Sequence, residues 1–377
     1  MRILHVSDTH VGFTAYARVT SEGLNQREQD FFDGLTRAFD VALAERVDAV
    51  LHTGDLFDAV RPTNRAISHA MAEFRRLHDA GIPSVVIAGN HEAPRLRETG
   101  SVLRLLDFLP GVTAVYKGRV ETVRIGDLAV HAVPHASDND ALLEELRAVR
   151  PDPDARHNVA MLHAGVMGVG DFRTGEFNEQ VVPQNELPDA MDHVALGHYH
   201  RATQVADRAW YAGSTERGSF KEAGEEKGVL LVDLDAGEVT VRPLDARPML
   251  DLPSLACEGV DEADVAPALY ARLDEARLDG AIARLRVTGI PAHAYATLDF
   301  ERIKRATASA LHFDLRPEIV RGDATGATHG ALGPLPDEFE AFLARRELGT
   351  GDRDALLDAA KALLREATSG PEEAASG

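Results

Sequence analysis

The chain has 377 residues, 44% of them hydrophobic and 27% charged, with a formal net charge of −21. This composition suits a packed globular protein, and the absence of any apolar run of about 18 residues argues against a membrane span. The opening MRILHVSDTH lacks the pattern of a secretory signal, and the single Cys257 excludes an intramolecular disulfide. We therefore expect a cytoplasmic protein.

Short apolar runs alternate with helical patterns through the first half of the chain. Strands are predicted at 2–6, 49–52 and 84–87, a helix with apolar positions Phe31, Leu35 and Phe39 between the first two, and further helices at 63–79 and 95–108. More strands are predicted at 120–125, 128–134, 158–162 and 193–196, followed by antiparallel strands at 209–211, 229–233 and 239–243. This alternation predicts α/β layers over residues 1–245, with ligands collected beyond the strand ends.

The pattern changes after residue 248. A helix at 264–277, a half-exposed strand at 283–287, a helix capped by Asp299 and a strand at 311–320 predict a small α/β domain over 248–321. A linker rich in Gly, Ala and Thr follows at 322–334. Residues 335–368 hold two short amphipathic helices, whose apolar faces either dock on a partner or pack on their own chain. The tail, 369–377, is expected to be disordered.

Seven side chains follow one another in short motifs at strand-to-loop junctions. The motifs read Asp-x-His, Gly-Asp, Gly-Asn-His, a lone His and Gly-His-x-His, and the candidate ligands are Asp8, His10, Asp55, Asn90, His163, His198 and His200. Two carboxylates, four imidazoles and one amide are the donors that a two-metal hydrolytic centre needs. Three other histidines lie within predicted strands and are interpreted as core residues: His5, His52 and His193.

These motifs, in this order, resemble the calcineurin-like metallophosphoesterase superfamily and, within it, the SbcD family of double-strand-break repair nucleases. The resemblance extends to the segments 23–31, 54–58 and 211–217, and to Phe220-x-Glu222 followed by Lys227-Gly228. It implies a layered β-sandwich flanked by helices, a small α/β capping domain and a C-terminal helical pair that binds an ATPase.

The resemblance also implies how the seven residues divide between two ions. One ion is expected on Asp8, His10 and His200, the other on Asn90, His163 and His198, with Asp55 bridging them. Alternate residues of an extended segment share a face, which is consistent with the Asp-x-His and His-x-His motifs. Four imidazoles favour a borderline transition ion over Mg²⁺ or Ca²⁺, and the family implies Mn²⁺.

His91, next to Asn90, is the candidate catalytic residue: by resemblance it hydrogen-bonds the scissile phosphate or protonates the leaving oxygen. Two neighbours depart from the family pattern. Glu92 stands where the nucleases commonly carry Asp, and Asp58 stands where some relatives place a histidine that handles the DNA strand.

Three functions are consistent with these residues. The leading hypothesis is a Mn²⁺-dependent DNA exonuclease and endonuclease acting on double-stranded ends and hairpins, as a homodimer with an SbcC-type ABC ATPase bound through 335–368. The second is a phosphomonoesterase or cyclic-nucleotide phosphodiesterase, which the acidic charge and Glu92 favour. The third is a scaffold with a vestigial site, which the seven competent ligands oppose. No basic stripe for DNA is visible, so a partner is expected to supply much of the grip on DNA.

Overall fold

Two six-stranded sheets organise the first two thirds of the chain. The computed structural model describes residues 1–93, 100–169 and 178–320. The first sheet contains β1 (Arg2–Val6), β2 (Ala49–His52), β3 (Ser84–Ile87), β4 (Val112–Val115), β13 (Gly228–Asp233) and β14 (Glu238–Pro243), in the order β14-β13-β1-β2-β3-β4. The second contains β5 (Glu121–Ile125), β6 (Leu128–Val133), β7 (His157–His163), β10 (His193–Gly197), β11 (Thr203–Ala206) and β12 (Ala209–Tyr211), in the order β11-β12-β10-β7-β6-β5. A two-stranded sheet joins β8 (Gly165–Val166) to β9 (Val181–Val182).

The two large sheets pack face to face through one apolar core. Leu51 and Ile87 of the first sheet belong to the same buried cluster as Val130, Met161 and Ala195 of the second. Helices α1 (Gln26–Glu45) and α2 (Asn64–Asp79) pack on the outer face of the first sheet, and α3 (Asn139–Ala148) packs against the second. The predicted α/β fold, a layered β-sandwich flanked by helices, is confirmed.

Side-chain caps explain where the first two helices begin. The Asn25 side chain accepts hydrogen bonds from the N–H groups of Arg27 and Glu28, and the Thr63 side chain accepts one from Ala66. Both caps satisfy backbone donors that have no partner within the helix. Within the described ranges, no helix is both long enough and apolar enough to cross a membrane.

A three-stranded sheet with its own core follows. It contains β15 (Met249–Ala256), β16 (Ile282–Pro291) and β17 (His312–Val320), joined by α4 (Glu262–Glu275), α5 (Ala292–Ala296) and α6 (Phe300–Ala306). Val265, Leu269, Leu285 and Val287 are buried in its core. Residues 1–290 and 294–318 form one compact unit, and we call 249–290 with 294–318 the small module. The domain boundaries at 245, 248 and 321 remain a prediction.

The structure differs from the sequence-based elements at several points. β4, α3, β11 and β15 were not predicted, and β12, predicted as antiparallel, pairs parallel with β10 and antiparallel only with β11. The described part of the helix predicted at 95–108 is a 3-10 helix, Val102–Phe108, in which Leu103 and Leu106 are buried. Their spacing of three residues matches one turn of a 3-10 helix. Residues 94–99, the linker 322–334, the helical pair 335–368 and the tail 369–377 lie outside the described residues.

The three histidines interpreted as core residues are buried and hydrogen-bonded, and His52 Nε2 lies 3.0 Å from Thr9 Oγ1. His5 Nε2 lies 3.1 Å from Thr53 Oγ1 and 3.2 Å from the Leu196 carbonyl, and His193 Nε2 lies 3.4 Å from His5 Nδ1. Burial disfavours the charged imidazole. It lowers the pKa of both His52 and His193 to about 4, and burial together with His193 lowers the pKa of His5 well below its usual value.

We expect the metal-free protein to lose stability as the pH falls from about 6.5 to about 4. In this pH range the histidines bind protons in the unfolded chain but stay neutral in the folded protein, so protonation favours unfolding. Urea unfolding in EDTA, repeated between about pH 7 and about pH 5, measures how the free energy of unfolding changes with pH. His193→Gln should flatten this pH dependence, whereas His78→Gln, at an exposed position of α2, should leave it unchanged. An identical slope in His193→Gln and the parent protein would contradict the assignment.

Candidate metal centre

The carboxyl ends of five parallel strands bring the seven predicted side chains to one edge of the sandwich. Asp8 and His10 follow β1, Asp55 follows β2 and Asn90 follows β3. His163 is the last residue of β7, and His198 and His200 follow β10. Because β1, β2 and β3 are parallel neighbours, as are β7 and β10, their ends lie side by side. The structure therefore places together residues that are up to 192 positions apart, from Asp8 to His200.

The loops that carry these residues adopt unusual backbone conformations. Asp8, His10, Asp55 and His198 have φ angles of 51°, 41°, 50° and 99°. Left-handed backbone at non-glycine residues is uncommon and concentrates at functional sites, where the surrounding structure compensates for its cost. All four residues belong to the set of candidate ligands.

Glycine is required where the loops touch. A Cβ on Gly89 would lie 2.1 Å from Asp55 Oδ1, and one on Gly54, where φ is +94°, would lie 2.4 Å from His163 Nδ1. A methyl group at either position would displace a candidate ligand. The small residues beside the ligand motifs therefore permit close packing of the loops.

The side chains form two groups with a shared carboxylate. In the first group, His10 Nε2 lies 3.2 Å from His200 Nε2, which lies 3.9 Å from Asp8 Oδ1. In the second, Asn90 Oδ1 lies 3.0 Å from His163 Nε2 and 3.2 Å from His198 Nδ1. Asp55 Oδ2 lies between the groups, 3.9 Å from His10 Nε2 and 3.3 Å from His163 Nε2.

This donor set fits divalent cations. His163 Nδ1 lies 2.8 Å from the Thr53 carbonyl, to which it donates, so the lone pair on Nε2 faces the oxygens of Asn90 and Asp55. Burial opposes a charge on His163, but the Asp55 carboxylate outweighs burial and raises the pKa of His163 to about 10. The field around Asp55 thus strongly favours positive charge. Ligand atoms of Asp8, Asp55 and His163 also lie within 4.8 Å of one another.

Besides Asp58, whose Oδ1 lies 3.5 Å from His10 Nδ1, three carboxylates in contact with these residues were not predicted to have a role. Glu179 Oε1 lies 3.4 Å from His198 Nε2, and Glu222 Oε1 lies 3.4 Å from His200 Nδ1. In each case the carboxylate faces the ring nitrogen that points away from the other candidate ligands, an arrangement typical of metal-binding histidines. The sequence offered no signal for Glu179, whereas Glu222 belonged to a family-like segment without an assigned role.

Glu92 is the third carboxylate, and it ties two ligand loops together. It is fully buried and accepts hydrogen bonds from the backbone N–H groups of Gly89 (2.9 Å), Asp55 (3.2 Å) and Phe57 (2.8 Å). Burial and the nearby Asp55 raise the pKa of Glu92 to about 7. The residue that departs from the family pattern therefore fixes the backbone of Asp55 relative to the loop that carries Asn90.

His91 lies beside the first group and is accessible. Its backbone N–H donates to Asp55 Oδ1 at 3.0 Å, and its Nδ1 lies 2.8 Å from the Asp58 carbonyl. The ring centroid is 4.7 Å from that of His10, and 28% of the side chain is exposed. A ring nitrogen of His91 also lies within 4.8 Å of ligand atoms of His10 and Asp55.

Comparison with known proteins agrees with this arrangement. The model of the calcineurin-like phosphoesterase family matches residues 1–202, just over half of the chain. The DNA double-strand break repair protein Mre11 of Sulfolobus acidocaldarius is 35% identical over 202 residues, 53% of this chain and 50% of that protein. The Mre11 protein of Halobacterium salinarum is 30% identical over 76% of this chain and 70% of its own length. That of Thermoplasma acidophilum is 28% identical over 92% and 90%.

The matched lengths differ among these relatives. The chain spans 50% of the Sulfolobus acidocaldarius protein and 62% of the one from Sulfurisphaera tokodaii. The match to the family model ends at residue 202, so it includes all seven side chains of the centre.

Glu92→Gln should destabilise the protein by about 1–3 kcal/mol, because an amide replaces one acceptor oxygen with a donor that faces buried N–H groups. Urea unfolding in EDTA measures the change. Glu144→Gln, at an exposed position of α3, is the matched control. Equal unfolding free energies for the two variants would show that the Glu92 contacts do not hold the loops.

Proposed function

This chain belongs to the calcineurin-like phosphoesterase family and, within it, to the Mre11 proteins of double-strand break repair, and we propose that it is a metal-dependent DNA exonuclease and endonuclease. The observation that carries this proposal is the convergence of Asp8, Asp55 and the imidazoles on one edge of the sandwich. The reaction is hydrolysis of a phosphodiester bond by an activated water, and the substrates are double-stranded ends and hairpins.

The proposed cofactors are two divalent ions, with Mn²⁺ the expected metal. One ion would be held by Asp8, His10 and His200 and the other by Asn90, His163 and His198, with Asp55 shared. The distances within each group and the position of Asp55 between them support this division. When bound, such ions lower the pKa of water and neutralise charge on the phosphate. Imidazole ligands favour a borderline transition ion over Ca²⁺ and Mg²⁺, which prefer oxygen, and the family resemblance implies Mn²⁺.

The catalytic residue of this proposal is His91. With Nδ1 donating to the Asp58 carbonyl, the ring keeps one orientation. In its imidazolium form, which carries protons on both nitrogens, the ring would donate an Nε2 hydrogen bond to the scissile phosphate or pass the Nε2 proton to the leaving oxygen. The partial exposure of the ring supports direct contact with substrate.

The proposed assembly is a homodimer that binds an SbcC-type ABC ATPase and acts at the nucleoid. An apolar surface supports the dimer, since Phe108 is 76% exposed and Leu105 lies beside it on the 3-10 helix. Exposed apolar groups of this kind mark interaction surfaces when they are contiguous. The segment proposed to bind the ATPase, 335–368, lies outside the described residues. The net charge of −21 supports a partner that supplies much of the grip on DNA.

Cleavage of end-labelled linear duplex DNA with Mn²⁺ tests the substrate, in parallel with hydrolysis of a small phosphomonoester. The acidic charge favours the second substrate class, a phosphomonoesterase or cyclic-nucleotide phosphodiesterase. We expect the parent protein to cleave DNA. Asp55→Asn should reduce the rate of cleavage by more than roughly 100-fold, which is the usual cost of removing a residue that only hydrogen-bonds a metal ligand. Asp79→Asn, at the exposed end of α2, should retain full activity. Hydrolysis of the monoester alone would reassign the substrate.

His91→Asn should lower kcat on DNA by about 10²- to 10⁴-fold, the usual contribution of a general acid, while the bound Mn²⁺ stays at the parent level. Metal content after gel filtration, measured by atomic emission, provides the second readout. Loss of Mn²⁺ in parallel with activity would make His91 a structural part of the metal site instead.

A further inference from the structure

The family-like segment Phe220-x-Glu222, followed by Lys227, has no role in the chemistry proposed above. It forms a short 3-10 turn, Phe220–Glu222, between the candidate metal centre and the small module. Glu222 contacts the centre, and Phe220 contacts the small module.

At the inner end, Glu222 orients His200. Its Oε1 lies 3.4 Å from His200 Nδ1, while its Oε2 accepts from Lys227 Nζ at 2.6 Å and from Ser214 Oγ at 3.3 Å. With the proton on Nδ1, the lone pair of His200 Nε2 points toward His10 and Asp8. A carboxylate that fixes the tautomer and tilt of a ligand imidazole strengthens its binding of metal.

Lys227 stabilises this arrangement of Glu222 and His200. It is buried, and its Nζ donates to the His200 carbonyl at 2.9 Å as well as to Glu222 and to Glu225 Oε2 at 3.3 Å. All three ammonium protons thus have acceptors. Since removal of one partner from a buried ion pair leaves an uncompensated charge, Lys227 holds both the backbone and the ring contact of His200 in place.

At the outer end, the small module holds Phe220. The Arg284 guanidinium lies 4.3 Å from the centroid of the Phe220 ring, within the range of a cation–π contact. Arg284, on β16, is itself fixed by two hydrogen bonds to Asp251 of β15, at 2.7 and 3.2 Å. The neighbouring Arg286 also binds Asp251, at 3.0 Å, but in the described part of the chain the cation–π contact to the Phe220 ring comes from Arg284.

We propose that this turn couples the small module to the metal centre: Arg284 holds Phe220, and Glu222 positions the ring of His200. Movement of the small module then alters how His200 presents Nε2. The inference rests on the proposed metal centre and adds a means of regulating it. Glu222 and Arg284 are positioning residues, since neither contacts a reacting atom.

The test is Mn²⁺ affinity of the full-length protein without DNA, by calorimetric titration, so that nuclease activity is not involved. Glu222→Gln should weaken binding by about 10- to 100-fold, and Glu226→Gln, at an exposed position, should not. Arg284→Ala should weaken it by about 2- to 30-fold, the range of a cation–π contact, and Arg286→Ala should not. Failure of the parent protein to bind Mn²⁺ would refute the metal centre itself, and with it this coupling.

Two outcomes overturn the coupling while leaving the metal centre intact. They are unchanged Mn²⁺ affinity in Glu222→Gln, and equal affinity in the two arginine variants. If Glu222→Gln fails to fold, the double variant Glu222→Leu with Lys227→Met removes the buried pair and leaves only the partly exposed Glu225 carboxylate without its lysine partner. In that variant nitrogen NMR of the metal-free protein, recorded at a pH where the His200 ring is neutral, should show loss of the Nδ1–H tautomer of that ring. Retention of the parent tautomer overturns the role of Glu222.

Discussion

Two buried carboxylates, Asp8 and Asp55, are the constraint on which this end of the fold depends. Both are almost completely excluded from solvent. Each accepts a backbone N–H, from His198 and His91 respectively, and the imidazoles of His10, His163 and His200 lie within 3.9 Å of one or the other. Burial of charge is costly unless a counter-charge is present. No Lys or Arg ion pair with Asp8 or Asp55 occurs in the described parts of the chain, and their ion-pair contacts there are with histidines. Cations at this position would balance the carboxylates.

Hydrogen bonds within the protein join the loops that carry the candidate ligands to one another. Asp8 N–H donates to the Gly54 carbonyl at 3.1 Å, His10 N–H to the Asp55 carbonyl at 3.0 Å, and His198 N–H to the Asp8 carboxylate at 3.0 Å. Together with the three hydrogen bonds to Glu92, these contacts connect loops from both sheets. A site held in this way loses little conformational entropy when an ion binds, which is the advantage of preorganisation.

Sequence reasoning succeeded where the signal was local. The strands β1, β2 and β3 were predicted with their observed bounds because each is a short apolar run that stops at a polar motif. β15 was missed because Asp251, Pro253 and Ser254 interrupt its apolar pattern. The contacts of Glu92 and Glu222 were not accessible to local patterns, since their partners are set by how the loops meet. The convergence of the seven side chains was expected because parallel strands end at a common edge.

If DNA is the substrate, the acidic composition affects how the chain binds it. Two divalent cations carry twice the charge of Asp8 and Asp55 together, with the opposite sign, so loading of the centre makes the local field more positive. Elsewhere the excess of acidic residues, 61 against 40 basic ones, repels a phosphate backbone. Retention of DNA by the isolated chain would then depend on occupancy of the metal centre and on a partner. Under this proposal the partner retains the DNA and the metal centre cleaves it. The orientation of one metal ligand, such as His200, would then control cleavage without changing how the partner binds DNA.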